Sequence, residues 1–164
     1  MIKNYFELLQ SQKENVVLQL EKAQKLWGAI PFLLKLLTED SFHEHLGKGQ
    51  LFLLFDETKF FENFPVIKGF VSLCDKDEVI APELFPWIGF VFIFPEYRGN
   101  RYSEVLIDYA INIAKDVYPT SEYVYISTDH VGLYEKFGFS YLREEKTVWG
   151  DKTRFYRRKI FRQD

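Results

Sequence analysis

Between Phe94 and Glu104 the chain reads Phe-Pro-Glu-Tyr-Arg-Gly-Asn-Arg-Tyr-Ser-Glu. An apolar run precedes this segment and an amphipathic one follows, so it joins a strand to the start of a helix. The first N–H groups of a helix have no intrahelical acceptor, and they carry the positive end of the macrodipole. Such a turn can cradle an anion, a pyrophosphate for example. Arg98 and Arg101 add positive charge in a chain of formal charge −3. Gly99 lets the backbone approach a ligand closely, and Asn100, Tyr102 and Ser103 complete the turn. The same residues also suit an ordinary strand–helix connection with two solvated arginines, and spacing alone leaves both readings open. Elsewhere the chemistry is thinner. His43-x-His45 lacks a cysteine or carboxylate at ligand spacing, so no metal is expected. Cys74 reads as a small buried hydrophobe rather than a nucleophile. Arg154, Arg157, Arg158, Lys159 and Arg162 read as one solvated face of a last strand, with a minor option of touching a phosphate.

The elements that hold the turn follow from hydrophobic period. Trp87–Phe94 is apolar on both faces, as in a strand covered from both sides, and Pro95 stops it. Val105, Leu106, Tyr109, Ala110, Ile113, Ala114 and Val117 make one stripe opposite Glu104, Asp108, Asn112, Lys115 and Asp116, the pattern of an amphipathic helix that Pro119 ends. Leu51–Phe55, Val66–Leu73 and Tyr123–Ser127 read as strands. Tyr141–Val148 and Thr153–Ile160 read as a hairpin closed around Gly150-Asp151. Val131–Phe137 reads as a short helix capped by Ser127, Thr128 or Asp129, with Gly138 in the left-handed cap and Phe139 packed back on it. Upstream, Val16, Val17, Leu20 and Trp27 recur near helical spacing, and Ile30, Leu33, Leu34 and Leu37 mark a second helix after Gly28. Ser41 and Glu44 have capping-box spacing. Residues 2–10 fit either a strand or a helical lead-in.

Composition bounds the answer. The 164 residues suit a single domain, residues 1–164, with a helical part over 1–49 and a core over 50–160. Phe and Tyr number 17 and 10, which supplies rigid material for a core and a pocket wall. The negative charge argues against general nucleic-acid or anionic-lipid binding. One cysteine permits no internal disulfide, and no apolar run resembles a signal peptide or a membrane span, so a cytoplasmic protein is expected.

Strand, proline and Arg98 of the first segment resemble the main motif of the GNAT superfamily of N-acetyltransferases: a strand ending near proline, then Arg/Gln-x-x-Gly-x-Gly/Ala opening a helix. Here Arg101 stands at the first glycine position and Ser103 at the second. Leu133-Tyr134-Glu135-Lys136-Phe137-Gly138-Phe139 is similar to the family's Leu-Tyr-Glu-Lys-x-Gly-Phe segment. The likeness spans roughly residues 50–160. It implies a mixed α/β domain, its central sheet mostly antiparallel with splayed middle strands and flanked by helices. It implies acetyl-CoA as co-substrate, with the backbone of Val91, Phe92 and Ile93 pairing with the pantetheine arm and Arg98, Gly99, Asn100, Arg101, Tyr102 and Ser103 holding the pyrophosphate. A backbone N–H near Ile93 would face the developing oxyanion. Tyr134 stands at the family's general-acid position. The acceptor implied is a primary amine of a small molecule or peptide, attacked directly in a ternary complex.

The family often draws its base from a carboxylate on the strand that corresponds to 87–94, and this strand has none. Asp75, Asp77, Glu78 and Glu83 in the preceding loop are the candidates, with His130 as a relay or a water chain as further routes. A non-catalytic acyl-CoA-binding sensor or interaction module of the same fold is the alternative function, and a homodimer is left open.

Overall fold

The computed structural model describes residues 1–161. Seven strands carry it: β1 (Ile2–Asn4), β2 (Gly49–Phe61), β3 (Phe64–Cys74), β4 (Trp87–Ile93), β5 (Tyr123–Thr128), β6 (Ser140–Lys146) and β7 (Lys152–Lys159). They lie side by side in the order β1-β2-β3-β4-β5-β7-β6. Every neighbouring pair is antiparallel except β4 with β5. The mixed, mostly antiparallel sheet expected from the sequence is therefore present.

Helices cover both faces, which is why the central strands are apolar on both sides. On one face lie α1 (Gln10–Lys22), α2 (Ala29–Thr38) and α3 (Phe42–Leu46). Leu20, Ile30, Leu33 and Phe42 from these helices pack with Leu51, Leu53, Phe55 and Phe70 of the sheet. On the other face lies α4 (Tyr102–Val117), which supplies the crossover that a parallel β4–β5 pair requires. Its Leu106, Ile107, Ala110 and Ala114 are fully buried against Val71, Leu73, Ile88 and Val124. Alternation along β2 sends Phe52 and Leu54 to the α4 side and Leu51, Leu53 and Phe55 to the other.

Several expectations shift. Residues 2–10 divide: Ile2 pairs with Leu54 and Asn4 with Phe52, then Tyr5–Glu7 turns as a 3-10 helix whose Phe6 N–H donates to the Asn4 side chain. Helix α1 ends at Lys22, so Trp27 belongs to the following loop, where its ring stacks on Phe92 with centroids 5.3 Å apart. Ser41 makes no capping bond to α3. The helix expected over 131–137 contracts to a 3-10 turn, Tyr134–Phe137, because the Thr128 hydroxyl accepts from His130 N–H in a local turn instead of capping a helix. Gly138 does take the left-handed cap at φ 86°. The basic run does not share one face. Arg154 lies over the Tyr141 ring and Arg158 bonds Asp108 of α4, while Arg157 lies over Tyr123 on the opposite face. Arg162 lies outside the described residues.

Candidate active site

The site begins with a break in β4. Near its start the Pro86 carbonyl accepts from Tyr125 N–H, so even-numbered positions face β5 there. Just past its end, Phe94 N–H donates to the Lys68 carbonyl, so even-numbered positions now face β3. Backbone direction alternates along a strand, so the strand has flipped once between these points. The flip coincides with a register shift between Phe70 and Ser72 of β3 and with Phe90, whose φ is 47°. This bulge has two consequences. Beyond it, Val91 and Ile93 turn their backbone away from β3. Beyond it also, β4 leaves β5: the two strands pair only at Trp87 with Tyr125 and Ile88 with Ile126.

The wedge so opened is a cavity of about 690 Å³. Val91, Phe92, Ile93, Arg98, Gly99, Arg101, Tyr102, Ser103 and Tyr134 all line it, so the structure brings together the candidate acid and every candidate cofactor-binding residue but one, while the four candidate loop carboxylates lie outside its lining. Asn100 is outside the lining, its side chain donating to the Tyr97 carbonyl at 3.1 Å. Phe92 shares the wall by its side chain, since its backbone faces β3.

At the far end of the wedge lies the turn expected to cradle an anion. Among the described residues no side chain caps α4, so its first amides are left without a capping partner. Gly99 has φ 88° with open space where a side chain would begin, so backbone conformation and not room demands glycine there. Arg101, at the N-cap, adopts φ 60°, a left-handed conformation that costs a non-glycine residue about 1–2 kcal/mol. Arg98 donates through Nε to the Ile93 carbonyl at 2.9 Å and lies over the Phe92 ring, which leaves its terminal guanidinium nitrogens exposed. The turn is tied down from β2: Tyr97 donates its hydroxyl to Asp56 at 2.7 Å. Hydrogen bonds from Thr58 and Tyr97 hold the Asp56 carboxyl well below the usual carboxylate range, at about 2.

Tyr134 is 7% exposed, its ring edge-on to Phe137 and Phe139. Burial pushes its phenol up to about 12. Its hydroxyl has no hydrogen-bond partner among the described residues and opens into the wedge.

The four loop carboxylates separate clearly. Asp75 accepts from Lys48 N–H and from the Tyr118 hydroxyl. Glu78 pairs with His45 at 2.6 Å, and Glu83 with Arg143 at 2.9 Å. Asp77 has no ion pair among the described residues, and desolvation pushes its carboxyl up to about 7. One of its oxygens lies 3.4 Å from where a Cβ on Gly89 would stand. The glycine thus makes room for a loop carboxylate beside β4, one residue before the bulge. His130 is exposed on the wedge rim, its N–H given to Thr128.

Residues 14–139 match the sequence profile of the Acetyltransferase (GNAT) family. The chain belongs to that family. No curated protein matches it at a significant level. Among solved structures, an aminoglycoside 6'-N-acetyltransferase complexed with coenzyme A superposes with a TM-score of 0.67 at 11% identity, over 100% of this chain and 99% of that one. A GNAT acetyltransferase from Staphylococcus aureus gives 0.61 at 18% identity, over 98% and 100%. A chimera of the Vibrio cholerae spermidine N-acetyltransferase gives 0.60 at 14%, over 98% and 96%. At these identities the likeness carries the fold.

In this GNAT chain some of the site was not marked in the sequence. Trp149, in the β6–β7 turn, packs edge-on to Phe32 of α2 at 6.2 Å and faces a second cavity. Ser127 and Asp129, expected as caps, line both cavities. Only long-range contact brings these residues to the site, so no local pattern signals them. No helix of the described residues is long and apolar enough to cross a membrane.

Proposed function

We propose that the chain transfers the acetyl group of acetyl-CoA to a primary amine. The observation that carries this reading is the wedge between β4 and β5, which runs from an uncapped helix N-terminus to an unpartnered phenol and meets, at Gly89, a second cavity lined by the unpaired Asp77 carboxylate. The acyl donor fits the residues present. The outward amides of α4, with Arg98 and Arg101, suit a pyrophosphate. The backbone of Val91 and Ile93 suits an extended pantetheine arm, added to β4 as another strand would be.

The chain's own groups then divide the work. The wedge holds amine and thioester together, which removes much of the entropic barrier. Asp77, at about 7, takes a proton from the incoming ammonium near neutral pH. The freed nitrogen bonds to the carbonyl carbon, and negative charge grows on the carbonyl oxygen. An N–H at Ile93 faces that charge. The carbon–sulfur bond breaks, the nitrogen's second proton passes to the departing sulfur, and the products are the amide, the thiol and the proton taken by Asp77. Tyr134, near 12, stays protonated at every working pH. The sulfur it faces belongs to a thiol of pKa near ~8.5, so Tyr134 acts chiefly by hydrogen-bonding the departing thiolate.

Thiol release from acetyl-CoA, followed with a panel of amines, tests the proposal. Tyr134→Phe should lower kcat by about 100-fold while leaving the melting temperature in place, since the hydroxyl bonds nothing among the described residues. Equal turnover by the variant would remove Tyr134 from the mechanism. Absence of thiol release from the parent protein with every amine would leave a binding protein.

A further inference from the structure

The second cavity, of about 590 Å³, opens off the first at Trp27, Gly89, Phe90, Ser127 and Asp129. Asp77 lines this cavity and the phosphate turn does not, which makes it the entry for the amine. Two features of its lining are independent of each other. The walls are aromatic: Phe32 stacks with Phe90 and meets Trp149 edge-on, each with centroids 6.2 Å apart, and Trp27 closes the inner end. Its charged groups are four carboxylates (Asp77, Glu78, Asp129 and Asp151) and a single ammonium, Lys152. Lys152 lies 3.8 Å from Glu144, and Glu78 is taken by His45. That leaves Asp77, Asp129 and Asp151 without an ion pair among the described residues.

A neutral amine at the moment of attack needs only Asp77. Asp129 and Asp151 find no partner in such a substrate, and an acceptor bearing a carboxylate would be repelled by both. Aromatic faces attract ammonium groups as well, more strongly where water is thinned. Resting on the transferase reading above, we infer that the acceptor is a compact diamine or polyamine, one nitrogen reacting at Asp77 and a second ammonium held between the aromatic walls and the Asp129 and Asp151 carboxylates. Electrostatic focusing in an acidic cleft raises the local concentration of such a cation.

Three probes of similar length separate the possibilities by their far end alone: butane-1,4-diamine, n-pentylamine and 4-aminobutyrate. Two readouts are taken, calorimetric binding to the CoA-loaded protein and thiol release from acetyl-CoA. The diamine should bind about tenfold more tightly than pentylamine, and 4-aminobutyrate should not bind measurably. Asp151→Asn and Asp129→Asn should each narrow the diamine-to-pentylamine ratio about threefold, and raising salt should narrow it as well. Pentylamine or 4-aminobutyrate binding as tightly as the diamine would overturn the inference. So would a diamine preference that survives the double variant. Diamine-selective binding with no thiol released would uphold the inference and count against the transferase reading instead.

Discussion

In the proposed mechanism the chemistry turns on Asp77, and desolvation sets its behaviour. With its carboxyl pushed to about 7, the folded chain keeps a proton through a window in which the unfolded chain, near the ordinary carboxylate value, has released it. Stability therefore falls as pH rises through that window and stays lower above it. Activity moves the other way, because the base must be ionised, so kcat should climb through pH 7 and level off. Asp77→Asn should abolish that rise and reduce kcat by about 100-fold. At pH 8 it should also stabilise the fold, by on the order of 2–4 kcal/mol. Activity and melting temperature, followed against pH for both proteins, check the pair. A variant that keeps the parent's pH–rate profile, or that is less stable at pH 8, would contradict the assignment. The sequence brought Asp77 only as far as a set of four loop carboxylates. What singled it out was tertiary: His45, Arg143 and Tyr118 claim its three neighbours, and Gly89 clears the space beside it.

At the scale of the element, the phosphate turn is held in a conformation that two of its residues meet differently. Gly99 at φ 88° uses the freedom of glycine, and Arg101 at φ 60° occupies a left-handed well without it. Gly99→Ala should therefore cost about 1 kcal/mol although nothing crowds the position. Arg101→Gly should release the left-handed strain, of about 1–2 kcal/mol, against an unfolded-state entropy loss of about 0.4–1 kcal/mol. Its stability should thus match or exceed the parent's. Its affinity for CoA should fall a fewfold, in a salt-dependent way, because the lost guanidinium is exposed and among the described residues pairs with Glu104 alone, at 3.9 Å. Denaturation midpoints and CoA titrations decide it, and an Arg101→Gly protein clearly less stable than the parent would contradict the reading. Most elements were legible because period and punctuation agreed: the α4 stripe, Pro95 after β4, and Gly138 after the Tyr134 turn. Trp27 lies outside the helix that its spacing fits, because its place is fixed by stacking on Phe92 from another element.

For the whole molecule, the sheet order explains why the site exists. Helix α4 must cross from β4 to β5, so those two strands run parallel, and the bulge at Phe90 lets them part beyond Ile88. The mixed sheet and the turn could be anticipated from motif order. The second cavity could not, since α2, the loop before β4 and the β6–β7 turn meet only in the folded chain. The measurement that bears most directly on the central claim is residue-resolved amide hydrogen exchange with and without acetyl-CoA. The account predicts that Val91 and Ile93, and the amides from Gly99 to Ser103, slow markedly on binding, while the paired residues Trp87 and Ile88 change little. Unchanged exchange at Val91 and Ile93 in protein shown to bind acetyl-CoA would contradict it.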